Sequence, residues 1–242
     1  ALNKSGTFWM GGTGSTALQT ETSPGVYSDF VASTSLTAAT VSTVASGQRE
    51  LGTGDYTLQV RDSSGLRQFR LVNADGNAVS IRRTDGTSTL TSDWQSMGNG
   101  AYDTGRGQTL TLNTTGDLES TTFHYTAKGT SITINSSDTQ RNIVNAINAA
   151  AQPEGTDFRA SIIANQLVLT STKTGVNHAM VYTDSAGLGF NTLLQDAQNA
   201  QSTVNGMSVS RSSNINLTDV VDGVTLSLAG DAEGKSARLS IS

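Results

Sequence analysis

Cysteine is absent from the 242 residues, which excludes disulfides and thiolate metal ligands. Proline is scarce at 2 residues, and histidine equally so, with only His124 and His178. Any triad or metal site built on imidazole must therefore use one of those two positions. Positive charge is short as well: 15 lysines and arginines face 20 acidic residues, a formal net charge of -5. Nucleic acids are bound through clustered cations that displace counterions, so no nucleic-acid partner is expected. No apolar run approaches the roughly 20 residues of a membrane-spanning helix. The first residues show no signal-peptide pattern, so no membrane insertion is expected and export would need another route.

Apolar residues make up 35% of the chain and charged residues only 14%, too few for charge-rich disorder. Thr, Ser, Asn, Gln and Gly fill the difference. That mixture suits many short strands, because β-branched Thr and Val tolerate extended backbone while Gly, Asn, Asp and Ser supply turns. A mainly β fold with minor α (α+β), modest cores and a polar uncharged surface is expected.

Periodicity locates the elements. The stretch from Gly11 to Pro24 is rich in Gly, Thr and Ser and reads as loop. In Asp55 to Val60, Tyr56, Leu58 and Val60 alternate as on a half-buried strand. Phe69 with Leu71 and Val79 with Ile81 repeat the pattern around Asn73 to Asn77 (NADGN), a hairpin signal. Leu110 with Leu112, Phe123 with Tyr125, and Ile132 with Ile134 continue it. The period then changes: between residues 136 and 151, Ile143, Val144, Ile147 and Ala150 share one face of a helix. Ser137 and Gln140 have the spacing of a capping box at its start, and Pro153 suits its end. Two strands hinged near Asn165 follow, so residues 131–172 read as a β-α-β-β unit. Residues 188–202 are ambiguous between helix and linker. Val204, Met207, Val209, Val224, Leu226, Leu228, Leu239 and Ile241 mark three or four further strands.

Catalytic and binding patterns are not found. His124 sits opposite Phe123 and Tyr125 in strand alternation and reads as solvent-facing, while His178 lies in a turn. Residues 11–16 (GGTGST) lack the spacing and lysine of a phosphate loop. Asp62, Asp75, Asp85, Asp219 and Asp222 are scattered in turns and form no calcium-loop pattern. No catalytic, cofactor-binding or metal residue is therefore expected. Arg67, Arg70, Arg82 and Arg83 form the one local basic cluster and read as a solvated face. Trp9 and Trp94 are candidate interface anchors or plugs of small cores. Arg211 is a candidate interface contact whose simpler reading is a local ion pair, and Asn205-Gly206 reads as a tight turn.

Two stretches carry a family resemblance. Residues 131–175 (SITINSSDTQRNIVNAINAAAQPEGTDFRASIIANQLVLTSTKTG) resemble a repeat shared by hook-associated and flagellin-type proteins. Residues 197–230 (AQNAQSTVNGMSVSRSSNINLTDVVDGVTLSLAG) resemble the bacterial flagellar filament cap proteins specifically. The opening ALNKSGTF and residues 52–60 (GTGDYTLQV) are also similar to cap-family segments, whereas residues 66–99 match least. The leg helices of that family are not seen in this sequence, so the resemblance is to a head fragment.

The resemblance implies two β-rich domains, an inner one at residues 1–66 and 200–242 and an outer one inserted at 67–199. It also implies a homo-oligomeric cap, with flagellin as partner, outside the cell at the flagellum tip and reached through the flagellar export channel. Capping is mechanical, so no enzyme activity is expected. Two alternatives stay open: the variable outer domain of a flagellin, or an adhesin head binding host glycans or mucin.

Overall fold

The computed structural model describes residues 1–23, 26–151, 158–190, 195–229 and 234–236. Pro153, Leu239 and Ile241, Pro24 at the end of the expected loop, and part of the 188–202 segment lie outside the described residues. The described strands are, in chain order, β1 (Gly6–Met10), β2 (Ala17–Ser23), β3 (Val26–Asp29), β4 (Leu36–Val44), β5 (Gly54–Ser63), β6 (Leu66–Asn73), β7 (Ala78–Val79), β8 (Arg82–Arg83), β9 (Gln95–Ser96), β10 (Gly100–Asp103), β11 (Arg106–Leu112), β12 (Thr121–Thr126) and β13 (Thr130–Ile134). The helix α1 (Gln140–Ala151) comes next, followed by β14 (Phe158–Ile163), β15 (Gln166–Ser171), β16 (Tyr182–Asp184), β17 (Ala200–Val204), β18 (Met207–Arg211), β19 (Leu217–Val221) and β20 (Val224–Leu226). The mainly β class with one helix is as the composition expects.

The chain divides into two units, described residues of Ala1–Thr172 with Met180–Leu193, and of Lys173–Ala179 with Leu194–Ser242. The first unit holds two cores. In the larger, a sheet ordered β3-β2-β12-β5-β6-β7, with β9 also on β6, meets a second sheet ordered β4-β11-β10-β8. The alternating apolar residues face inward: Tyr56, Leu58, Phe69, Leu71, Phe123 and Tyr125 from the first sheet, Leu36, Tyr102, Leu110 and Leu112 from the second. The 73–77 turn forms as expected, with the Asn73 side chain accepting from the Asp75 and Asn77 backbone N–H groups at 3.1 and 2.9 Å.

The smaller core is built on β1, paired on one side with β13 and on the other with β16. Phe8 stacks on Tyr182 and meets Phe190 at a tilt, and Ile132, Ile134, Ile143, Ile147 and Phe158 pack in the same cluster. All buried members of the larger core fall between β1 and β13 in sequence. At the crossing, a Cβ on Gly12 would lie 2.1 Å from the Ala127 carbonyl oxygen, and Gly129 has φ +81 with Met10 O 2.6 Å from its would-be Cβ. Only glycine lets the outgoing and returning strands approach so closely.

Several expectations change. β5 and β6 pair from Tyr56↔Asn73 to Ser63↔Leu66, so the expected boundary between 66 and 67 falls beside the turn of one hairpin. The β-α-β-β order at 131–172 is present, but its strands separate: β13 joins β1, while β14 and β15 form their own two-stranded sheet. The helix buries Ile143 and Ile147 as expected, with Val144 and Ala150 partly buried beside them. Its cap is Thr139, not Ser137. Thr139 Oγ1 accepts the Asn142 N–H at 3.2 Å, because residues 135–138 are consumed by a turn in which Asp138 N–H reaches Asn135 O at 2.9 Å.

Candidate interface surfaces

The outward face of the large sheet carries one organised charged group. Register sets Gln59 opposite Arg70 and Arg61 opposite Gln68 on neighbouring strands. Arg61 donates through Nε and Nη2 to Gln68 Oε1 at 2.9 and 2.7 Å, and Arg70 Nε donates to Gln59 Oε1 at 2.7 Å. Trp94 immediately precedes β9, which pairs with β6, and its ring meets both guanidinium groups, 4.0 Å from Arg61 and 4.8 Å from Arg70. Trp94 is therefore half-buried by cations and not by an apolar core.

The expected basic cluster is dispersed by the same strand geometry. Arg67 lies one residue from Gln68 on the other face of β6 and donates to the Thr114 and Gly116 carbonyls. Arg82 and Arg83 belong to the second sheet, Arg82 at 4.0 Å from Asp103 and Arg83 bonded to Asn99 O at 2.9 Å. Arg61, not Arg67, is the guanidinium beside Arg70 at Trp94, since cross-strand pairing and not chain proximity brings the two together.

His124 does face away from Phe123 and Tyr125, but it is not open to solvent. Its Nδ1 lies 2.8 Å from Asp55 Oδ1, and the Tyr27 ring covers it at 4.2 Å, leaving 13% of the side chain exposed. Burial, then the nearby Asp55 and Glu21 charges, raise the Tyr27 phenol pKa. No serine or second imidazole completes a catalytic set around it in the described hydrogen bonds. His178 lies in a short 3-10 turn, Val176–His178. Among the described residues no group of His, Asp and Glu could hold a metal ion, and no helix is long and apolar enough to cross a membrane.

Trp9 lies on the face of β1 opposite Phe8 and Met10, half-buried, with Lys128 Nζ 5.7 Å from its ring. It covers Gly14, where an added Cβ would sit 3.0 Å from the indole. Trp9, on β1, and Trp94, just before β9, both belong to the first unit, and Arg211 belongs to the second unit.

The second unit is two hairpins, β17 with β18 and β19 with β20. Asn205 and Gly206, both at positive φ, make the tight turn of the first. Arg211 Nε donates to Asp219 Oδ2 at 2.9 Å and so links β18 to β19, the local ion pair expected. Leu217 is the one large apolar side chain buried among this unit's described residues, while Met207, Ile215 and Val176 are 68%, 58% and 51% exposed. Two-stranded hairpins with so little core are marginal in water by themselves.

The family model for the flagellar hook-associated protein 2 C-terminus matches residues 197–242. Two solved structures are similar: the flagellar cap protein FliD D1-D2-D3 domains from Escherichia coli, at 20% identity and TM-score 0.32, covering 89% of this chain and 51% of that one; and FliD (HAP2) from Pseudomonas aeruginosa PAO1, at 22% identity and TM-score 0.37, covering 87% and 85%. The chain thus spans about half the length of the Escherichia coli structure. No curated protein matches it at significance. The family match falls on the stretch whose motifs resemble the cap proteins.

Proposed function

We propose that this chain is the head of a flagellar filament cap, a homo-oligomeric assembly that guides flagellin into the filament tip and prevents subunit loss. The observation that carries the reading is that the family match at 197–242 coincides with the second unit, whose hairpins have little core and exposed apolar side chains. Such a surface suits assembly, in which shape and polar contacts do the work and no covalent step is needed. The partners on this reading are further copies of the protein and flagellin. The location is the cell exterior at the flagellum tip, reached through the flagellar export channel.

The two-domain head of this reading places the insertion between β1 and β13, because those strands pair while the chain between them has its own core. Trp9, Trp94 and Arg211 are candidate contacts within it. The comparisons do not favour the flagellin outer domain or the glycan- or mucin-binding adhesin. The test is a soft-agar motility assay in a cap-deficient strain supplied with the full-length protein. Restored swimming supports the reading; a folded, exported protein that leaves the cells immotile overturns it.

A further inference from the structure

Arg61 and Arg70 are both held against one indole, and among the described residues no ion pair balances them. Each is oriented by a neutral amide oxygen, Gln68 for Arg61 and Gln59 for Arg70, which fixes the guanidinium plane without neutralising its charge. The described ion pairs involve Arg82, His124 and Arg211, and neither Arg61 nor Arg70. Arg70 is only partly exposed, so its charge is held in reduced contact with water. Two like charges beside one ring repel each other, and that repulsion strengthens as solvent is displaced. Carboxylates placed at the two guanidinium groups would offset it.

The remaining donors are suited to such a ligand. The bonds to Gln59 and Gln68 use both Nε groups and one terminal nitrogen of Arg61, leaving Nη1 of Arg61 and both terminal nitrogens of Arg70 without a described partner. Planar guanidinium edges match carboxylates in paired hydrogen bonds, and prior orientation by Gln59, Gln68 and Trp94 removes much of the entropy cost of making them. The site is two arginines wide, with a net charge of -5 on the whole chain, so it lacks the cationic stripe of a polyanion groove.

We infer that the Arg61–Trp94–Arg70 stack is a docking site for a protein segment bearing adjacent carboxylate side chains. The site is independent of the capping reading, since it lies in the first unit and includes none of the matched residues. The probe is a blocked oligoglutamate peptide titrated into the chain carrying Trp9→Phe, so that Trp94 is the sole indole reporting. Saturable change in Trp94 emission, weakened by added salt and absent with oligoglutamine, is expected. Arg61→Gln and Arg70→Gln should each weaken binding at least tenfold, and Arg70→Lys nearly as much, because the charge stays but the fork is lost. Acetate and inorganic phosphate form the other arms. No saturation with oligoglutamate, equal binding by the Gln variants with circular dichroism unchanged, or tighter binding of acetate or phosphate than of the peptide would each overturn the assignment.

Discussion

The Tyr125 hydroxyl donates to Glu50 Oε1 at 2.8 Å, joining a strand of the large core to a loop 75 residues earlier. The same carboxylate accepts the backbone N–H groups of Lys128 and Gly129 at 2.8 and 3.1 Å, where the chain returns toward β13. Tyr125→Phe removes one of these three bonds and should cost about 1 to 2 kcal/mol. Glu50→Ala should cost more, because it strands a buried hydroxyl and two backbone donors together. Urea unfolding of both variants checks the order. Gly107→Ala should act on the same group, since its Cβ would sit 2.4 Å from the Tyr125 oxygen at a backbone φ of +111.

Alkaline pH should weaken this core. Burial first, then the bond to Glu50, pushes the Tyr125 phenol well above its ordinary range, and burial does the same to Tyr56. A raised folded pKa means that the folded chain keeps protons the unfolded chain releases. The stabilisation is full below the unfolded value near 10 and is lost as pH rises toward the folded values. Urea midpoints measured at about pH 9 and pH 11 should fall, and fall less in Tyr125→Phe.

Gln108 is fully buried, and its side-chain polar atoms have no hydrogen-bond partner among the described residues. Gln108→Met keeps the shape and removes the uncompensated amide, so it should stabilise the protein by about 1 to 2 kcal/mol. A lowered urea midpoint would contradict the assignment of that amide as unsatisfied.

In the smaller core, the Asn148 side chain on α1 donates to Ala160 O and accepts from Ala160 N–H, both at 2.9 Å. Asn148→Ala should cost about 1 to 3 kcal/mol by unpairing that buried strand backbone. Ile143→Asp with Ile147→Asp should unfold the cluster, because unpaired charge in a core is among the most destabilising changes. Unchanged thermal melting would place this helix face in solvent.

Features set by neighbouring residues were readable in the sequence. The β5–β6 alternation, the 73–77 turn and the buried stripe of α1 each depend on a few adjacent positions. The helix cap was misread because residues 136–139 offer three hydroxyls and a carboxylate within one turn, and spacing does not say which the backbone turn consumes. The pairing of β1 with a strand 120 residues later has no local signal, so the sequence could not show it. The Trp94 stack was hidden for the same reason: Arg61 and Arg70 meet only through strand register, and Trp94 reaches them only because β9 pairs with β6.

The most direct test of the capping account is the amount of unpolymerised flagellin that cap-deficient cells release into the medium. The full-length protein should clear that monomer, whereas its Met207→Asp, Ile215→Asp variant should be exported and folded, since both side chains are exposed, yet leave flagellin in the medium. Retention of flagellin by the variant equal to that of the unaltered protein would contradict the assignment of these hairpins as the assembly surface.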